Sequence, residues 1–299
     1  MSATTAERVR FEQYLFPRTL DECVKMLAEH DGMARVIAGG TDLVLWARSG
    51  QIRQNIMVDI TRIEEIGAID ASAQDKITLG AGITHAAVAA SPAIRSRFSA
   101  LADGCRSVGS PQIRHIATLG GNIVSAQPAA DSVIPMVVLD ASCEIISPAG
   151  IRIESIDNLH TGVGKSKVDP TREVISRIFL PIPKGRYATA FTRIAPREAM
   201  ALPIVNCAIR VLLDGNTITE ARIALAPVAL TPFRAVRTEE FLIGKDITDE
   251  QVAVAAGRVA SDEANPRDSL QRGSGAYRKV LAGDLVTSAL RKADIREGA

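Results

Sequence analysis

Two glycine-rich turns carry the residue types in this sequence that could hold a phosphorylated ligand. The first runs from Ile37 to Leu43 (IAGGTDL), between a strand-like run and a helical run. Adjacent glycines let backbone amides approach a ligand closely, and the start of a helix adds partial positive charge, so a diphosphate can be held without a lysine. Taken alone, the motif fits an ordinary tight turn between a strand and a helix equally well.

The second turn surrounds another glycine pair with short polar side chains. It runs from Thr118 to Ser125 (TLGGNIVS) and is followed by Asp131. Hydroxyl, amide and carboxyl groups at this spacing could hydrogen-bond the edge of a heterocycle and its ribityl or ribose hydroxyls. An irregular loop, in which Asn and Asp make local turn bonds, is the alternative.

Other nucleotide and metal motifs are incomplete in this sequence. Gly162–Ser166 (GVGKS) ends like a phosphate-binding loop, but Leu159 stands where the first glycine is required. Gly80–Gly82 (GAG) begins like a dinucleotide fingerprint, but His85 occupies the third glycine position. The four histidines and four cysteines have no metal-ligand spacing, and no hydrolase signature is present. We therefore predict no catalytic residue and no metal site in this chain.

Composition places the chain among ordinary globular proteins. Its 299 residues suggest about two domains, and 46% apolar with 23% charged residues excludes a mostly disordered chain. The chain has 35 Lys and Arg residues and 34 Asp and Glu residues, so its net charge does not indicate a nucleic-acid-binding protein. No run approaches the roughly 18–20 apolar residues of a membrane helix, and residues 1–10 lack the apolar core of a secretory signal. We expect a cytoplasmic protein without a transmembrane segment.

Hydrophobic periodicity outlines the elements that would position these turns. A helix is predicted after Thr19, with Glu22 completing a capping box. A β-hairpin is predicted around Ser147–Gly150. In the second half we predict four strands and then three helices, which indicates an α+β fold. The predicted strands are Val174–Leu180, Ala188–Ile194, Pro203–Leu213 and Thr217–Leu225, and the helices are Arg234–Leu242, Asp249–Val259 and Ala276–Arg291.

The two turns, in this order and spacing, resemble the FAD-binding medium subunit of the molybdenum hydroxylases, the family of xanthine dehydrogenase and carbon monoxide dehydrogenase. The resemblance lies in Ala38–Leu43 (AGGTDL), Ser110–Asn122 (SPQIRHIATLGGN) and Ser125–Asp131 (SAQPAAD). It implies a two-lobed FAD-binding domain of the vanillyl-alcohol-oxidase (PCMH) type in residues 1–172, with lobes of about 1–60 and 61–172. A small α+β C-terminal flavoprotein domain, residues 173–299, would follow.

The resemblance also implies which residues contact FAD. The first turn would wrap the diphosphate, the second would contact the diphosphate, ribityl and flavin portions, and Asp131 would face the polar edge of the isoalloxazine. A valine at Gly40 is expected to prevent FAD loading by crowding the diphosphate. No flavin contact is assigned to the C-terminal domain, because Thr192 replaces a lysine found in many relatives. The implied FAD-binding residues are Ile37, Ala38, Gly39, Gly40, Thr41, Asp42, Leu43, Val108, Gly109, Thr118, Gly120, Gly121, Asn122, Ser125 and Asp131.

In function, the resemblance implies an electron-transfer subunit of an oxidoreductase. A large molybdopterin subunit would oxidise the substrate, a small subunit would relay electrons through [2Fe-2S] clusters, and the FAD of this chain would pass them to NAD or another acceptor. The expected assembly is a dimer of heterotrimers. Two alternatives stay open: a self-contained FAD-dependent oxidoreductase of the same fold superfamily acting on a small molecule, and a flavin-free assembly protein.

Overall fold

Three β-sheets of three or five strands organise the computed structural model, which describes residues 11–197 and 199–298. Two of the sheets belong to the N-terminal part of the chain and the third to the C-terminal part. Residues 1–10, on which the prediction of no secretory signal rests, lie outside the described residues. Among the described residues, no helix combines the length and apolarity needed to cross a membrane.

The first lobe is a small parallel sheet with two helices. Its strands lie in the order β1-β3-β2. Thr19 caps α1 as predicted, since its hydroxyl accepts a hydrogen bond from the backbone amide of Glu22 at 3.1 Å. The apolar stripe of α1 then lies in the core of this lobe. The elements are β1 (Gln13–Leu15), α1 (Leu20–Glu29), β2 (Ala34–Ile37), α2 (Leu43–Arg48) and β3 (Ile56–Asp59).

The second lobe is a five-stranded antiparallel sheet covered by short helices. Its strands lie in the order β4-β5-β10-β6-β7, and the predicted hairpin closes with Ser147 opposite Gly150. The elements are β4 (Ile69–Asp70), β5 (Lys76–Gly80), α3 (His85–Ala90), α4 (Pro92–Arg97), α5 (Ser99–Ser107), α6 (Pro111–Arg114), α7 (Leu119–Ser125), α8 (Val133–Val138), β6 (Ser142–Ser147), β7 (Gly150–Ser155), α9 (Ile156–Leu159), β8 (His160–Gly162), β9 (Lys165–Ser166) and β10 (Val174–Pro181).

The strand β10 corrects the sequence-based assignment of residues 173–181 to the C-terminal domain. It is a strand, as predicted, but it hydrogen-bonds β5 on one side and β6 on the other, in the middle of the second-lobe sheet. Its alternating apolar pattern gave no information about which sheet it would join, because period-two alternation predicts a strand and not its neighbours. The segment between the two sheets is therefore residues 182–185.

The C-terminal domain is an antiparallel sheet with three helices packed on one face. Its strands lie in the order β14-β13-β12-β11-β15, and the last strand, missed in the sequence, returns to pair with β11. The predicted turn at Asp214–Asn216 joins β12 to β13. The elements are β11 (Arg186–Ile194), β12 (Val205–Asp214), β13 (Thr217–Ala226), β14 (Phe233–Arg234), α10 (Val236–Leu242), α11 (Glu250–Glu263), α12 (Gly275–Lys292) and β15 (Asp294–Glu297).

Helix α8 joins the second lobe to the C-terminal domain. It packs against β12 and β13, so that the core of the second lobe continues into Phe191, Ala208 and Ala224 of the C-terminal sheet. Just after α8, the carboxylate of Asp140 pairs with Arg210 at 2.8 Å and with Arg222 at 2.6 Å. The two domains therefore share apolar contacts and charge pairs.

The two glycine turns are brought together by a close backbone approach between the lobes. An ideal Cβ built on Gly39 would lie 2.1 Å from the carbonyl oxygen of Ile116, just before the second turn. Only a residue without a Cβ fits there, because real Cβ atoms do not come within 3.0 Å of a backbone oxygen. Gly39 thus fixes the distance between the first turn and the segment that leads into the second.

We predict that Gly39→Ala lowers the free energy of unfolding by about 1–3 kcal/mol, because a methyl group must push two backbone segments apart. Urea unfolding measures the change. Gly67→Ala is the matched control, since a Cβ at Gly67 meets no atom within 4 Å. Equal stability of the two variants would contradict the tight approach at Gly39.

Candidate functional site

One cavity of about 390 Å³ lies where the two lobes and the C-terminal domain meet, a size within the usual range for small-molecule sites. Its walls contain every residue that the sequence implied for FAD contact. Two separate stretches of the sequence, residues 37–43 and 108–131, are therefore brought to one site. Those residues are Ile37, Ala38, Gly39, Gly40, Thr41, Asp42, Leu43, Val108, Gly109, Thr118, Gly120, Gly121, Asn122, Ser125 and Asp131.

The first turn presents unused backbone donors to this cavity. It connects β2 to α2, and no hydrogen bond among the described residues uses a backbone amide of residues 39–43 as its donor. The first amide used is that of Val44, which donates to the carbonyl oxygen of Gly40 at 3.0 Å. A run of free amides lining a cavity has the donor chemistry that a diphosphate requires.

Gly40 is needed for the shape of the first turn. Its φ of +65° lies in the left-handed region, and an ideal Cβ would lie 3.3 Å from the Cδ1 atom of Ile37. A valine at Gly40 would therefore distort the turn itself. If Gly40→Val fails to load FAD, the distorted turn and the crowded diphosphate would both contribute. This variant therefore does not test crowding of the diphosphate by itself.

The second turn differs, because its backbone donors are already satisfied by the protein. The amide of Leu119 donates to Ile83 at 3.0 Å and that of Gly120 to Ala81 at 2.8 Å. The amide of Gly121 donates to the hydroxyl of Thr118, the N-cap of α7, at 3.1 Å. This turn is a fixed wall of the cavity and offers no free amide from these three residues.

Polar side chains of the second turn supply hydrogen-bonding groups instead. The Oδ1 atom of Asn122 accepts a hydrogen bond from Ser132 at 2.7 Å, which leaves its Nδ2 donor without a partner among the described residues. Ser125 contacts the carboxyl group of Asp42 and so connects the two turns. Burial raises the pKa of Asp42, and the hydrogen bond from Ser125 opposes that rise. A carboxyl group in this position suits the hydroxyls of a ligand better than its phosphates.

Asp131 has protein partners that the sequence analysis did not identify. It lines the cavity, but its Oδ2 atom pairs with Arg193 at 3.0 Å and its Oδ1 atom accepts from Asn206 at 2.7 Å. Both partners lie on strands of the C-terminal domain. Burial raises the pKa of Asp131 to about 7, against the opposing effects of Arg193 and Asn206. Its oxygens are therefore engaged in holding the two domains together, whereas the sequence assigned them to the polar edge of the flavin.

Arg193, which the sequence did not identify, organises the third wall of the cavity. Besides Asp131, it donates to the carbonyl oxygens of Ser107 and Ala201, each at 2.6 Å. The loop after β11 is further attached by the amide of Met200, which donates to Gly109 at 3.1 Å. Residues 200–202 of this loop line the cavity, so the C-terminal domain does contribute to the site. Arg193 lies within a predicted apolar strand, and that position could have identified it, since buried charges are paired or functional.

Several other lining residues were also missed. These residues are Trp46 on α2, His85 on α3, Arg35 on β2 and Glu173 just before β10, and their local sequences carry no recognisable motif. Glu173 forms a two-pronged pair with Arg152. Burial lowers the pKa of Arg35, and the nearby Asp169 opposes that effect.

These residues fit FAD. The first turn offers the free amides for a diphosphate, Asp42 and Asn122 offer groups for hydroxyls, and the close backbone packing at the glycines leaves the ligand side of the turns open. Around a Cβ at Gly121, for example, only the hydroxyl of Thr118 lies within 4 Å.

We predict that Thr118→Ala lowers the free energy of unfolding by about 1 kcal/mol, because the N-cap of α7 is lost. Thr118→Ser keeps the hydroxyl and is expected to retain most of that stability. Urea unfolding of both variants tests the capping role, and equal losses in the two would contradict it.

We also predict a pH-dependent stability difference between the wild-type protein and Asp131→Asn. An aspartate in the unfolded chain has a pKa of about 3.9, whereas Asp131 in the folded protein has a pKa of about 7. Between these two pH values the folded state therefore binds a proton that the unfolded state has released. The contribution of Asp131 is therefore present at low pH and is lost as the pH rises towards about 7, by up to about 1.4 kcal/mol per pH unit.

Urea unfolding of both proteins at several values between about pH 5 and about pH 8 measures this difference. His85 and His160 have lowered pKa values and act in the opposite direction, but they are present in both proteins and cancel. A stability difference that is independent of pH would contradict the raised pKa.

Comparison with known proteins agrees with this architecture. Residues 8–183 match the model of the FAD binding domain in molybdopterin dehydrogenase, and residues 190–293 match that of the CO dehydrogenase flavoprotein C-terminal domain. The chain is similar to the xanthine dehydrogenase FAD-binding subunit of Escherichia coli O157:H7, with 29% identity over 95% of this chain and 96% of that one.

Two solved structures are similar over nearly the whole chain. A chain of carbon monoxide dehydrogenase from Hydrogenophaga pseudoflava has a TM-score of 0.87 and 27% identity, covering 95% of this chain and 97% of that one. A chain of quinoline 2-oxidoreductase from Pseudomonas putida 86 has a TM-score of 0.86 and 29% identity, covering 94% and 96%. These matches confirm the predicted α+β fold, with an FAD-binding domain followed by a small C-terminal flavoprotein domain. The chain belongs to the FAD-binding medium subunits of the molybdopterin dehydrogenases, the family of xanthine dehydrogenase and carbon monoxide dehydrogenase.

Proposed function

We propose that this chain carries FAD in the cavity between its lobes and transfers electrons within a molybdenum hydroxylase. It would receive electrons from the [2Fe-2S] clusters of a small subunit, after a large molybdopterin subunit has oxidised the substrate, and deliver them to NAD or another acceptor. The family supports the cofactor and the subunit type. The electron path, the acceptor, a dimer of heterotrimers and a cytoplasmic location are parts of the proposal.

The free amides of residues 39–43 are the observation that carries this proposal. We assign the diphosphate to these amides and the ribityl or ribose hydroxyls to Asp42 and Asn122. Residues 200–202 would then cover the flavin end, held in place by Arg193. When bound, FAD supplies a redox centre that can take up two electrons and release them to an acceptor.

Every carboxylate that the structure describes in the cavity wall already has a charge or hydrogen-bond partner, which disfavours a self-contained oxidoreductase. Asp131 is paired with Arg193 and Glu173 with Arg152, while Asp42 is bonded to Ser125. Substrate chemistry over a flavin would need a positioned group that exchanges a proton with the substrate. An electron-transfer subunit needs only to bind and orient its cofactor, which matches these residues.

A flavin-free assembly protein is disfavoured by the same first turn. Backbone amides that the fold does not use converge on the cavity here, and convergent unpaired donors of this kind suit an anionic ligand. Their arrangement beside open glycines is therefore better explained by a bound diphosphate.

The experiment is a redox titration of the full chain, alone and together with its co-purifying subunits. We expect the chain to contain extractable FAD. We also expect ADP to compete with FAD for binding, because ADP carries the diphosphate that the first turn would hold. With partners present, dithionite is expected to bleach flavin and iron–sulfur absorbance, and added NAD⁺ is expected to be reduced.

Two results would count against the proposal. A chain that takes up no FAD would favour the assembly protein. An isolated chain that oxidises a small alcohol or a related molecule without its partners would favour the self-contained oxidoreductase. A third result would change only the acceptor. If FAD binds and a quinone or a dye is reduced but NAD⁺ is not, NAD is excluded as the acceptor.

A further inference from the structure

The strand β7 is the longest edge strand among the described residues. It lies at the end of the order β4-β5-β10-β6-β7 and has six residues, Gly150–Ser155, which pair with β6 on one side only. The other strands that lie at a sheet edge have two to four residues each. In the described part of the chain, β7 therefore presents the longest free row of backbone donors and acceptors.

Two isoleucines make this edge apolar on one face of the sheet. Ile151 and Ile153 are 65% and 63% exposed, and they point to the same face because side chains alternate along a strand. Edge strands are commonly protected from further pairing by very short length, a proline or a bulge. The strand β7 has six residues of sequence GIRIES, and its register with β6 is continuous. Its free edge is thus suited to pairing with a further strand.

The charged residues of β7 make the strand complementary to itself. Arg152 and Glu154 lie on either side of Ile153 and point to the opposite face of the sheet. When two copies of β7 pair antiparallel with Ile153 opposite Ile153, Arg152 of each copy lies opposite Glu154 of the other. A shift of two residues either way places Arg152 opposite Arg152 or Glu154 opposite Glu154, and like charges directly opposite are destabilising. Charge therefore selects the register centred on Ile153.

The same register fits the length of the strand and the state of its carboxylate. It pairs residues 151–155 of one copy with residues 155–151 of the other, which is all of β7 except Gly150. Arg152 forms a two-pronged pair with Glu173 of its own chain, whereas Glu154 forms no ion pair with a described residue. A second copy would bring a guanidinium group opposite each Glu154.

We propose that the free edge of β7 is an interaction surface for a second copy of this chain. The two β7 strands would pair antiparallel about a two-fold axis at Ile153, so that two five-stranded sheets continue into each other. The exposed isoleucines of both copies would then form one apolar cluster. Such a contact uses the same surface on both copies and closes after two of them. The inference does not require FAD and is independent of the proposed function.

The test is cysteine cross-linking of the full-length chain at two positions of this strand. Ile153→Cys places two thiols directly opposite each other, at a separation that a disulfide can span. Ile151→Cys is the matched control, because it lies on the same face but opposite Ser155 of the second copy. The four native cysteines are buried and are not expected to react. Under mild oxidation, we expect a covalent dimer of Ile153→Cys and only monomer of Ile151→Cys on a non-reducing gel.

A second measurement tests the contact without a cross-link. Sedimentation velocity of the wild-type chain over a series of concentrations is expected to show a monomer–dimer equilibrium. Ile153→Lys places two ammonium groups opposite each other at the two-fold axis, and Glu154→Lys places one opposite each Arg152, so both variants are expected to lose the dimer. Val163→Lys is the matched control: Val163 is 51% exposed in the separate hairpin of β8 and β9, and the dimer is expected to persist.

Three results would overturn the inference. The first is a wild-type chain that stays monomeric at every concentration. The second is cross-linking of Ile151→Cys with none of Ile153→Cys, which would place the strands in another register. The third is a monomeric chain whose β7 amides become protected from hydrogen exchange only in the presence of its co-purifying subunits. That result would assign the edge to a strand of another subunit.

Discussion

The ion pair between Asp131 and Arg193 joins the parts of the chain on which the cavity depends. Arg193 lies on the first strand of the C-terminal sheet, yet its guanidinium reaches the end of α5, the loop that carries Asp131 and the backbone of Ala201. The side chain of Asp131 is 5% exposed and that of Arg193 is 13% exposed, so each depends on the other for compensation of its lost hydration. The third wall of the cavity is thereby fixed to the second lobe.

The two glycine turns look alike in sequence but have different physical states in the fold. In the second turn, the carbonyl oxygens of Ala81 and Ile83, just after β5, accept hydrogen bonds from its first amides, so that turn is complete within the protein. In the first turn, the corresponding amides have no protein partner among the described residues. A bound cofactor would therefore be held mainly by the first turn and shaped by the second. This division suits a protein that binds and orients a redox cofactor and leaves substrate chemistry to other subunits.

Much of the local structure followed from local signals. The cap at Thr19, the hairpin at Ser147–Gly150 and the turn at Asp214–Asn216 all depend on residues close in sequence, and the structure contains each of them. The assignment of β10 failed, because the choice of a neighbouring strand depends on the rest of the chain. The last strand, β15, was missed for a similar reason: a short polar edge strand has little pattern of its own.

The sequence alone determined the two turns, their order and the family to which they belong, because glycine pairs with flanking polar residues are local and specific. It also predicted cofactor-binding residues only in the first half of the chain. Only the tertiary structure decided which turn keeps free amides, since that depends on carbonyl oxygens of the segment after β5, which accept hydrogen bonds from the second turn. It likewise decided that Asp131 faces Arg193 and that residues 200–202 complete the cavity, because both depend on contacts between residues far apart in the chain.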